Sequence, residues 1–376
     1  MRVGTAALAG IRVLDFSTLL PGPFATLLLA TAGAEVTKVE RPGGGDEMRS
    51  YTPRFGTTSA NFAILNAGKR SLAIDLKDPA QRERLRGALR DTDVLVEQFR
   101  PGVMARLGLD YPSVREVNPR LVYCSITGYG QEGERAGDAG HDLNYLAETG
   151  MLDLCRDATG SPPLPPVLVA DLAGGAYPAV LNILLALRAR ESTGTGMHLD
   201  VNMSANLFPL MYWAWAGGHA TGAWPVPGGE LVTGGSPRYQ VYRTADGRHL
   251  AAAPLEERFW RRFCDLIGLG ESERDDRRDP AGVRAAVAER IARHDAEYWR
   301  RRFAGQDVCC SVVRTLPEAL ADPAMNPGTR AEVADGEHRM PALPMPVGPG
   351  LAADPGLLLS PGLGRHGGVL EEARRD

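Results

Sequence analysis

The N-terminal half of the sequence alternates between short apolar runs and helical stretches, and this alternation restricts the folds that the chain can adopt. Strand-like runs occur at residues 11–17, 35–40, 71–76, 94–99 and 121–127, with helical stretches at 24–32 and 79–89. A strand followed by a helix and a second strand is the unit that builds a parallel sheet. We therefore predict an α/β protein whose large domain contains a Rossmann-like sheet.

Basic side chains follow the ends of several of these strands. Arg41, Lys77 and Arg100 each come shortly after a strand-like run, and Thr127 ends another. In open parallel sheets, ligands bind outside the carboxyl ends of the strands. We therefore expect these four residues to gather at one edge of the sheet.

The character of the chain changes after residue 216. At 376 residues the chain exceeds the size that one core usually supports. Residues 217–237 are rich in glycine and proline, which is typical of a linker or a lid. A hairpin signal and three helical stretches follow, so we predict a smaller α+β domain at 238–325. The tail at 326–376 is expected to return to the large domain at 1–216.

Composition excludes several classes of partner. The net charge of -4 and the pI near 6.0 argue against nucleic acid, because a phosphate backbone requires a basic protein surface. The most apolar N-terminal run, 19–34, is interrupted by Pro21 and Pro23, so we expect neither a signal peptide nor a membrane span. The five cysteines lack metal-ligand spacing and favour a reducing cytoplasm. The adjacent Cys309 and Cys310 are predicted to be small core residues.

Two ionisable residues stand where the chain changes direction, and such places often carry function. His141 follows a glycine-rich segment, and Asp171 opens a long apolar helix predicted at 171–189, which we expect to be buried. An aspartate at a helix start is also a common N-cap, and a single histidine is often a partly buried, hydrogen-bonded residue. A histidine and a carboxylate can equally form a general acid/base pair. The two residues alone leave these interpretations open.

The segment Gly128-Tyr-Gly-Gln-Glu-Gly has the spacing of a dinucleotide-binding fingerprint. It follows a late strand, however, and runs into a charged stretch rather than an apolar helix. We interpret it as a flexible glycine loop that lets the backbone approach a ligand. We accordingly expect no nicotinamide, flavin or metal cofactor.

Short motifs follow one another in a fixed order along nearly the whole chain. They are Gly10-Ile-Arg-Val-Leu-Asp, Pro21-Gly-Pro, Lys38-Val-Glu-Arg-Pro, Asn66-Ala-Gly-Lys-Arg-Ser, Glu97-Gln-Phe-Arg-Pro-Gly, Thr127-Gly-Tyr-Gly-Gln, Gly140-His-Asp-Leu-Asn-Tyr, Ala170-Asp-Leu-Ala-Gly-Gly, Ala245-Asp-Gly-Arg and Pro254-Leu-Glu. This order resembles the family III CoA-transferase (CaiB/BaiF) superfamily, and within it most the α-methylacyl-CoA racemases. The resemblance implies an interlocked homodimer, with each active site between the large domain of one subunit and the small domain of the other.

The resemblance also implies a reaction and its catalytic residues. An acyl-CoA thioester of lipid metabolism with a 2-methyl branch would be epimerised through an enolate, with coenzyme A present only as part of the substrate. His141 and Asp171 would remove and return the α-proton on opposite faces. Glu256 would orient the histidine, and the backbone N–H of Asp142 would steady the enolate oxygen.

The same resemblance places coenzyme A. Its phosphates and adenine would be held by Arg41, Lys77, Phe99, Arg100 and Arg106. An ordinary basic surface is the alternative interpretation of these residues.

Two other functions stay open. In CoA-transferases of the superfamily, the residue matching Asp171 attacks a thioester and is carried as an acyl anhydride. A non-catalytic acyl-CoA-binding relative is the second alternative. Glu256 is also consistent with an ordinary exposed glutamate at a helix start. Racemases typically carry an asparagine four residues before the aspartate, where this chain has Val167. Either the acidity of Asp171 differs from theirs, or the reaction has departed from that of the racemases.

Overall fold

The computed structural model describes residues 6–156, 160–326, 331–353 and 356–368. The chain divides into two compact units. The first comprises residues 1–149, 165–210 and 328–376, and the second comprises 150–164 and 211–327. These divisions differ from the predicted domains. Residues 150–164 and 211–216 group with the second unit rather than the first. The segment 217–237 also lies inside the second unit, and its first five residues continue a helix that ends at Thr221.

The described strands are β1 Arg12–Asp15, β2 Glu35–Glu40, β3 Arg54–Phe55, β4 Thr58–Ser59, β5 Arg70–Ala73, β6 Val94–Glu97, β7 Val122–Thr127, β8 His198–Asn202, β9 Gln240–Arg243, β10 His249–Ala252, β11 Cys310–Val312, β12 Glu332–Asp335, β13 His338–Pro341 and β14 Leu357–Leu359. Each of the five strand-like runs predicted from the sequence overlaps one of these strands, although β5 begins one residue before its run.

The described α-helices are α1 Pro21–Thr31, α2 Ala60–Leu65, α3 Pro79–Ala88, α4 Val103–Arg106, α5 Tyr111–Val117, α6 Asp142–Glu148, α7 Met151–Leu154, α8 Tyr177–Thr193, α9 Tyr212–Thr221, α10 Glu257–Ile267, α11 Pro280–Ile291, α12 Ala296–Phe303 and α13 Leu316–Leu320. A π-helix, Ala170–Ala176, runs directly into α8. Short 3₁₀ turns occur at Glu47–Ser50, Leu89–Asp91, Ala205–Met211 and Glu271–Glu273.

The first unit is built on a parallel sheet of six strands. Their order is β5-β2-β1-β6-β7-β8, and every neighbouring pair is parallel. Counting only these six strands along the chain, the order is 3-2-1-4-5-6, which is that of a doubly wound Rossmann sheet. The direction of the chain across the sheet reverses between β1 and β6, so a crevice for a ligand is expected at the carboxyl ends of these two strands. The prediction of an α/β protein with a parallel sheet is confirmed.

The helix that carries Asp171 is irregular for identifiable reasons. Pro178 has no N–H to donate to the carbonyl of Gly174, one turn earlier, and Asn206 Nδ2 donates to that carbonyl instead, at 2.8 Å. A Cβ on Gly174 would lie 2.5 Å from the carbonyl oxygen of Met203, so only glycine allows this close approach. The local sequence therefore produces a π-helix, a form often found at functional sites.

The prediction that this long helix is buried all round was wrong for the single chain. On one side of the helix Ala179 and Ile183 are fully buried, but Leu181 and Leu185 are each 59% exposed. An apolar groove of about 550 Å³ runs along the same face, between α1, α8 and residues 346–351. Exposed apolar surface of this extent commonly marks an interface.

The C-terminal segment packs on the first unit. The N–H of Gly68 donates to the carbonyl of Leu359, and the N–H of His366 donates to Ser71 of the edge strand β5. Strand β12 pairs with both β13 and β14, and Val333 packs in a small core with two alanines of the first unit. Covering β5 in this way blocks an edge that would otherwise pair with other chains.

Two of the chain's three lysines are buried in the first unit. Lys69 Nζ lies 3.2 Å from Asp15 Oδ2 and also donates to the carbonyl of Pro23 at 2.8 Å. Lys38 Nζ lies 3.0 Å from Asp46 Oδ2. Burial opposes the ionisation of Asp15, but the charges of both lysines lower its pKa to about 2. The motifs that contain these residues therefore form a buried ionic network beneath the carboxyl ends of β1 and β2.

The second unit has its own sheet and core. Strands β9, β10 and β11 form an antiparallel sheet, and the predicted hairpin joins β9 to β10. Its core contains the fully buried Trp260 and Trp299. Cys309 is exposed, with φ +50°, so the prediction that both adjacent cysteines are core residues was wrong.

Candidate active site

A cavity of about 360 Å³ opens near the carboxyl ends of β1 and β6, between which the strand order reverses. Its wall includes Leu19, which follows β1, and Phe99 and Arg100, which follow β6. The other side is formed by the glycine-rich loop and the start of α6, including His141. The cavity thus lies at the crevice that the strand order predicts.

His141 lines this cavity and is exposed. It is the N-cap residue of α6, with an extended backbone, and its N–H donates to Asn144 Oδ1 at 3.0 Å. Within the residues that the structure describes, no group is hydrogen-bonded to its imidazole. The interpretation of His141 as a buried, satisfied histidine is therefore wrong, and the ring is available to a ligand.

The loop before His141 is held by tight packing around Tyr145. The Tyr145 hydroxyl donates to the carbonyl of Gly140 at 2.7 Å. A Cβ on Gly128 would lie 2.5 Å from that hydroxyl, and one on Gly140 would lie 2.7 Å from the same ring. Both glycines are therefore required where they stand. Tyr145 lies in one of the ordered motifs, but the sequence alone indicates no role for it.

Asp171 is the second residue of the π-helix and is half-buried. Its side chain does not cap this helix, since the N-cap position belongs to Val169. The interpretation of Asp171 as an N-cap is therefore wrong. Its own N–H instead donates to Asp142 Oδ1 at 3.0 Å, which joins the π-helix to the residue that follows His141.

Burial raises the proton affinity of both neighbouring carboxyl groups. Burial, and next the charge of Asp142, raise the pKa of Asp171 to about 7. Burial also raises the pKa of Asp142, although hydrogen bonds from the backbone of Asp171, Ala170 and Val169 oppose this. Because Asp171 titrates near neutral pH, it can both accept and donate a proton there.

The backbone N–H of Asp142 lies in the first turn of α6, where helical N–H groups have no partner within the helix. Among the described residues no acceptor is bonded to it. It is therefore without a partner among the described residues and can donate to a ligand oxygen.

The expected coenzyme A residues lie on the first unit. Phe99 and Arg100 line the cavity together with His141. Arg41 directly follows β2, Lys77 follows β5, and Arg106 ends α4, and all three side chains are exposed. Since β2, β5 and β6 run parallel, Arg41, Lys77 and Arg100 all follow the carboxyl ends of their strands. Their role in binding coenzyme A stays a prediction.

Glu256 belongs to the second unit, at the N-cap position of α10. Its side chain is exposed and makes no capping hydrogen bond. Within the described residues its side chain makes no hydrogen bond or ion pair, and its assignment as the partner of the histidine stays a prediction.

Val167 lies on the first unit and is 54% exposed. An apolar side chain at this position supplies no hydrogen bond to Asp171. Within the described residues, no group of three His, Cys, Asp or Glu side chains is arranged to hold a metal ion.

Comparisons with known proteins agree with the geometry. The sequence model described as CoA-transferase family III matches residues 8–367. Human alpha-methylacyl-CoA racemase is 36% identical over 318 residues, which cover 84% of this chain and 79% of the racemase. Human succinyl-CoA:glutarate CoA-transferase is 31% identical over 329 residues, covering 84% and 74%. A CAIB/BAIF family protein from Brucella suis superposes with a TM-score of 0.81 at 27% identity, covering 98% of this chain and 99% of that one.

Proposed function

This chain belongs to CoA-transferase family III, and from that membership we propose that it epimerises a 2-methyl-branched acyl-CoA thioester. The observation that carries the proposal concerns two residues. The imidazole of His141 has no hydrogen-bond partner within the described residues, and Asp171 has a pKa of about 7. Asp142, which follows His141 in the chain, connects them because its carboxylate accepts a hydrogen bond from the N–H of Asp171. His141 lines the cavity, and Asp142 bonds to the helix of Asp171. A racemase requires two such groups, whereas a transferase requires only the carboxylate.

In the proposed reaction, one member of the pair takes the α-proton of the thioester. The electron pair of the broken C–H bond moves into the thioester, and the oxygen of the resulting enolate accepts a hydrogen bond from the N–H of Asp142. The other member then donates its proton to the opposite face of the α-carbon. His141 ends with the proton in one direction and Asp171 in the other, so no net proton is consumed.

The test is incubation with one epimer of a 2-methylacyl-CoA in heavy water. The product should contain deuterium at the α-carbon and both configurations, as measured by mass spectrometry and chiral analysis. If instead no deuterium enters and coenzyme A moves to an added carboxylic acid, the transferase alternative replaces this proposal. The match to a human CoA-transferase, together with Val167 in place of the asparagine, favours keeping that alternative. If coenzyme A only binds, with neither reaction, the protein is a non-catalytic relative.

The basic residues at the sheet edge are proposed to bind the phosphates of coenzyme A. Replacing Arg100 by alanine should weaken binding by about 1–3 kcal/mol, because a charge-assisted hydrogen bond is lost from a site that remains folded. Isothermal calorimetry measures the change in Kd. Arg90→Ala is the matched control. Arg90 is also exposed, but it precedes β6 and therefore lies toward the amino ends of the strands. An unchanged Kd for the Arg100 variant would remove this cluster from the site.

The protein is proposed to be an interlocked homodimer, because Glu256 and His141 belong to different units and a partner subunit would complete the site. The exposed apolar face of α8, with Leu181 and Leu185, supports this proposal. Light scattering should give the mass of a dimer at working concentrations. Replacing both leucines by glutamate should reduce the dimer fraction and the activity together. A fully active monomer would contradict the proposal.

We also propose a cytoplasmic protein with no membrane or nucleic-acid partner. Within the described residues, the helical stretch Ala170–Thr193 has the length and hydropathy of a membrane span. Core helices of soluble proteins pass the same test, and this one packs on α1 and on β7 and β8.

A further inference from the structure

The side chain of Asp142 has contacts that the proposed proton transfer does not use. The residue directly follows His141 and is only 5% exposed. Its Oδ1 accepts a hydrogen bond from the N–H of Asp171 at 3.0 Å, across 29 residues of sequence. The backbone of Val169 and Ala170 contributes further hydrogen bonds to the same carboxylate. A helix start leaves unpaired N–H groups, so Asp142 caps the π-helix from a different element of the fold.

We infer that the Asp142 carboxylate is a positioning group for both catalytic side chains. It fastens the start of the Asp171 helix to the peptide that follows His141, and when ionised it places a negative charge near the Asp171 carboxyl group. This inference rests on the proposed function for its catalytic meaning, but its physical content is tested on the protein without substrate.

The other charged groups around Asp171 leave Asp142 as the relevant neighbour. The π-helix packs against α1, α6, α8 and β8, and α1 carries no ionisable side chain. On α6, Glu148 is paired with Arg135 and accepts a hydrogen bond from the Tyr129 hydroxyl. Burial and then the charge of Asp171 raise the pKa of Tyr145 to about 12, so Tyr145 stays neutral. The ionisable residues of α8 have other partners: Arg188 pairs with Glu191, Arg190 pairs with Asp93, and the ring of Tyr177 contacts that of Phe24. On β8, His198 is hydrogen-bonded to Ser125, and Asp200 accepts from the N–H of Gln131.

The geometry gives Asp142 two separable effects. As a hydrogen-bond acceptor it fixes where the π-helix begins, and therefore where Asp171 stands relative to the loop of His141. As a negative charge it makes a second negative charge on Asp171 less favourable, so that Asp171 retains its proton to higher pH. Asp142→Asn keeps an acceptor oxygen of the same shape but removes the charge, whereas Asp142→Ala removes both.

The experiment follows the carboxyl carbon of Asp171 by ¹³C NMR during a pH titration of the ligand-free protein. The signal is assigned by its absence in Asp171→Asn. In Asp142→Asn we expect the midpoint of Asp171 to move to lower pH, because its ionisation no longer opposes a neighbouring charge. Circular dichroism verifies the fold. If the asparagine variant fails to fold, Asp142→Ser repeats the measurement, since an uncharged hydroxyl also accepts helix N–H bonds.

Activity supplies the second arm. The pH profile of α-deuterium exchange should move to lower pH in Asp142→Asn, and exchange should fall further in Asp142→Ala. If the wild-type protein exchanges no deuterium, the proposed function fails, while the NMR titration still tests the inference. An unmoved Asp171 midpoint in Asp142→Asn, with equal losses in both variants, would show that Asp142 only supports the fold and would overturn the inference.

Discussion

Replacing His141 by alanine is expected to abolish the interconversion of the two epimers in both directions. General acid/base catalysis by one side chain typically contributes about 10²–10⁴-fold in rate. Without one member of a two-base pair, the α-proton of one epimer cannot be taken and the enolate formed from the other epimer cannot be protonated on its opposite face. Neither direction of the interconversion therefore survives. Because the imidazole makes no hydrogen bond within the described residues, the substitution should leave the fold intact.

The isotope pattern distinguishes a two-base site from a general loss of function. In His141→Ala, Asp171 should still exchange deuterium into the one epimer whose α-proton faces it, while the configuration is retained. In Asp171→Asn the other epimer should exchange instead. His249→Ala is the matched control, because His249 is also exposed but lies on β10 of the second unit. Racemisation at the wild-type rate in His141→Ala would rule out the histidine as a catalytic base.

Under the transferase alternative the same variants behave differently. His141→Ala should then have a mild effect, whereas Asp171→Ala should eliminate the acyl intermediate that hydroxylamine traps in the wild-type protein. The trapping experiment therefore assigns the role of Asp171 independently of the isotope exchange.

Replacing Lys69 by alanine is expected to lower the free energy of unfolding by about 3–5 kcal/mol, the usual cost of removing one partner from a buried ion pair. Lys69 Nζ has four partners, which are Asp15, Pro23, Thr26 and Asn66. Burial lowers its pKa to about 8, so it is charged at pH 7 and balances Asp15. Its loss would remove one of the two lysine charges that lower the pKa of Asp15.

Denaturant unfolding followed by circular dichroism measures this effect. Lys77→Ala is the matched control: Lys77 is exposed, and surface substitutions usually change stability by less than about 0.5 kcal/mol. The folded pKa of Asp15 is lowered, so its contribution to stability is present above about pH 4, its unfolded pKa, and is lost as the pH falls toward 2. Equal stabilities for the two lysine variants would contradict a structural role for the buried pair.

The amino-acid sequence is sufficient to predict the sheet and the position of the candidate residues along it. Alternating apolar runs and helical stretches are local patterns, and parallel strands necessarily bring their carboxyl ends to one edge. From the strand pattern alone, Arg41, Lys77 and Arg100 are therefore expected at the carboxyl ends of parallel strands. The ordered motifs also identify the family, because they extend over nearly the whole chain.

The packing of the chain in three dimensions establishes what those motifs do. A buried environment distinguishes Lys38 and Lys69 from the exposed Lys77, and burial depends on residues that are far apart in sequence. The same reason explains the errors about Asp171 and the helix that carries it. The helix is apolar all round in sequence, yet only its packing on the sheet shows which side is buried.

The proton affinity of Asp171 is the clearest case of a property that cannot be predicted from the sequence. It is set by dehydration and by the charge of Asp142, which lies 29 positions earlier and meets Asp171 only because α6 packs on the π-helix. Electrostatic energies depend on distance and on solvent access. The sequence thus supplies the two candidate bases, and the fold supplies the neighbouring charge that adjusts one of them to neutral pH.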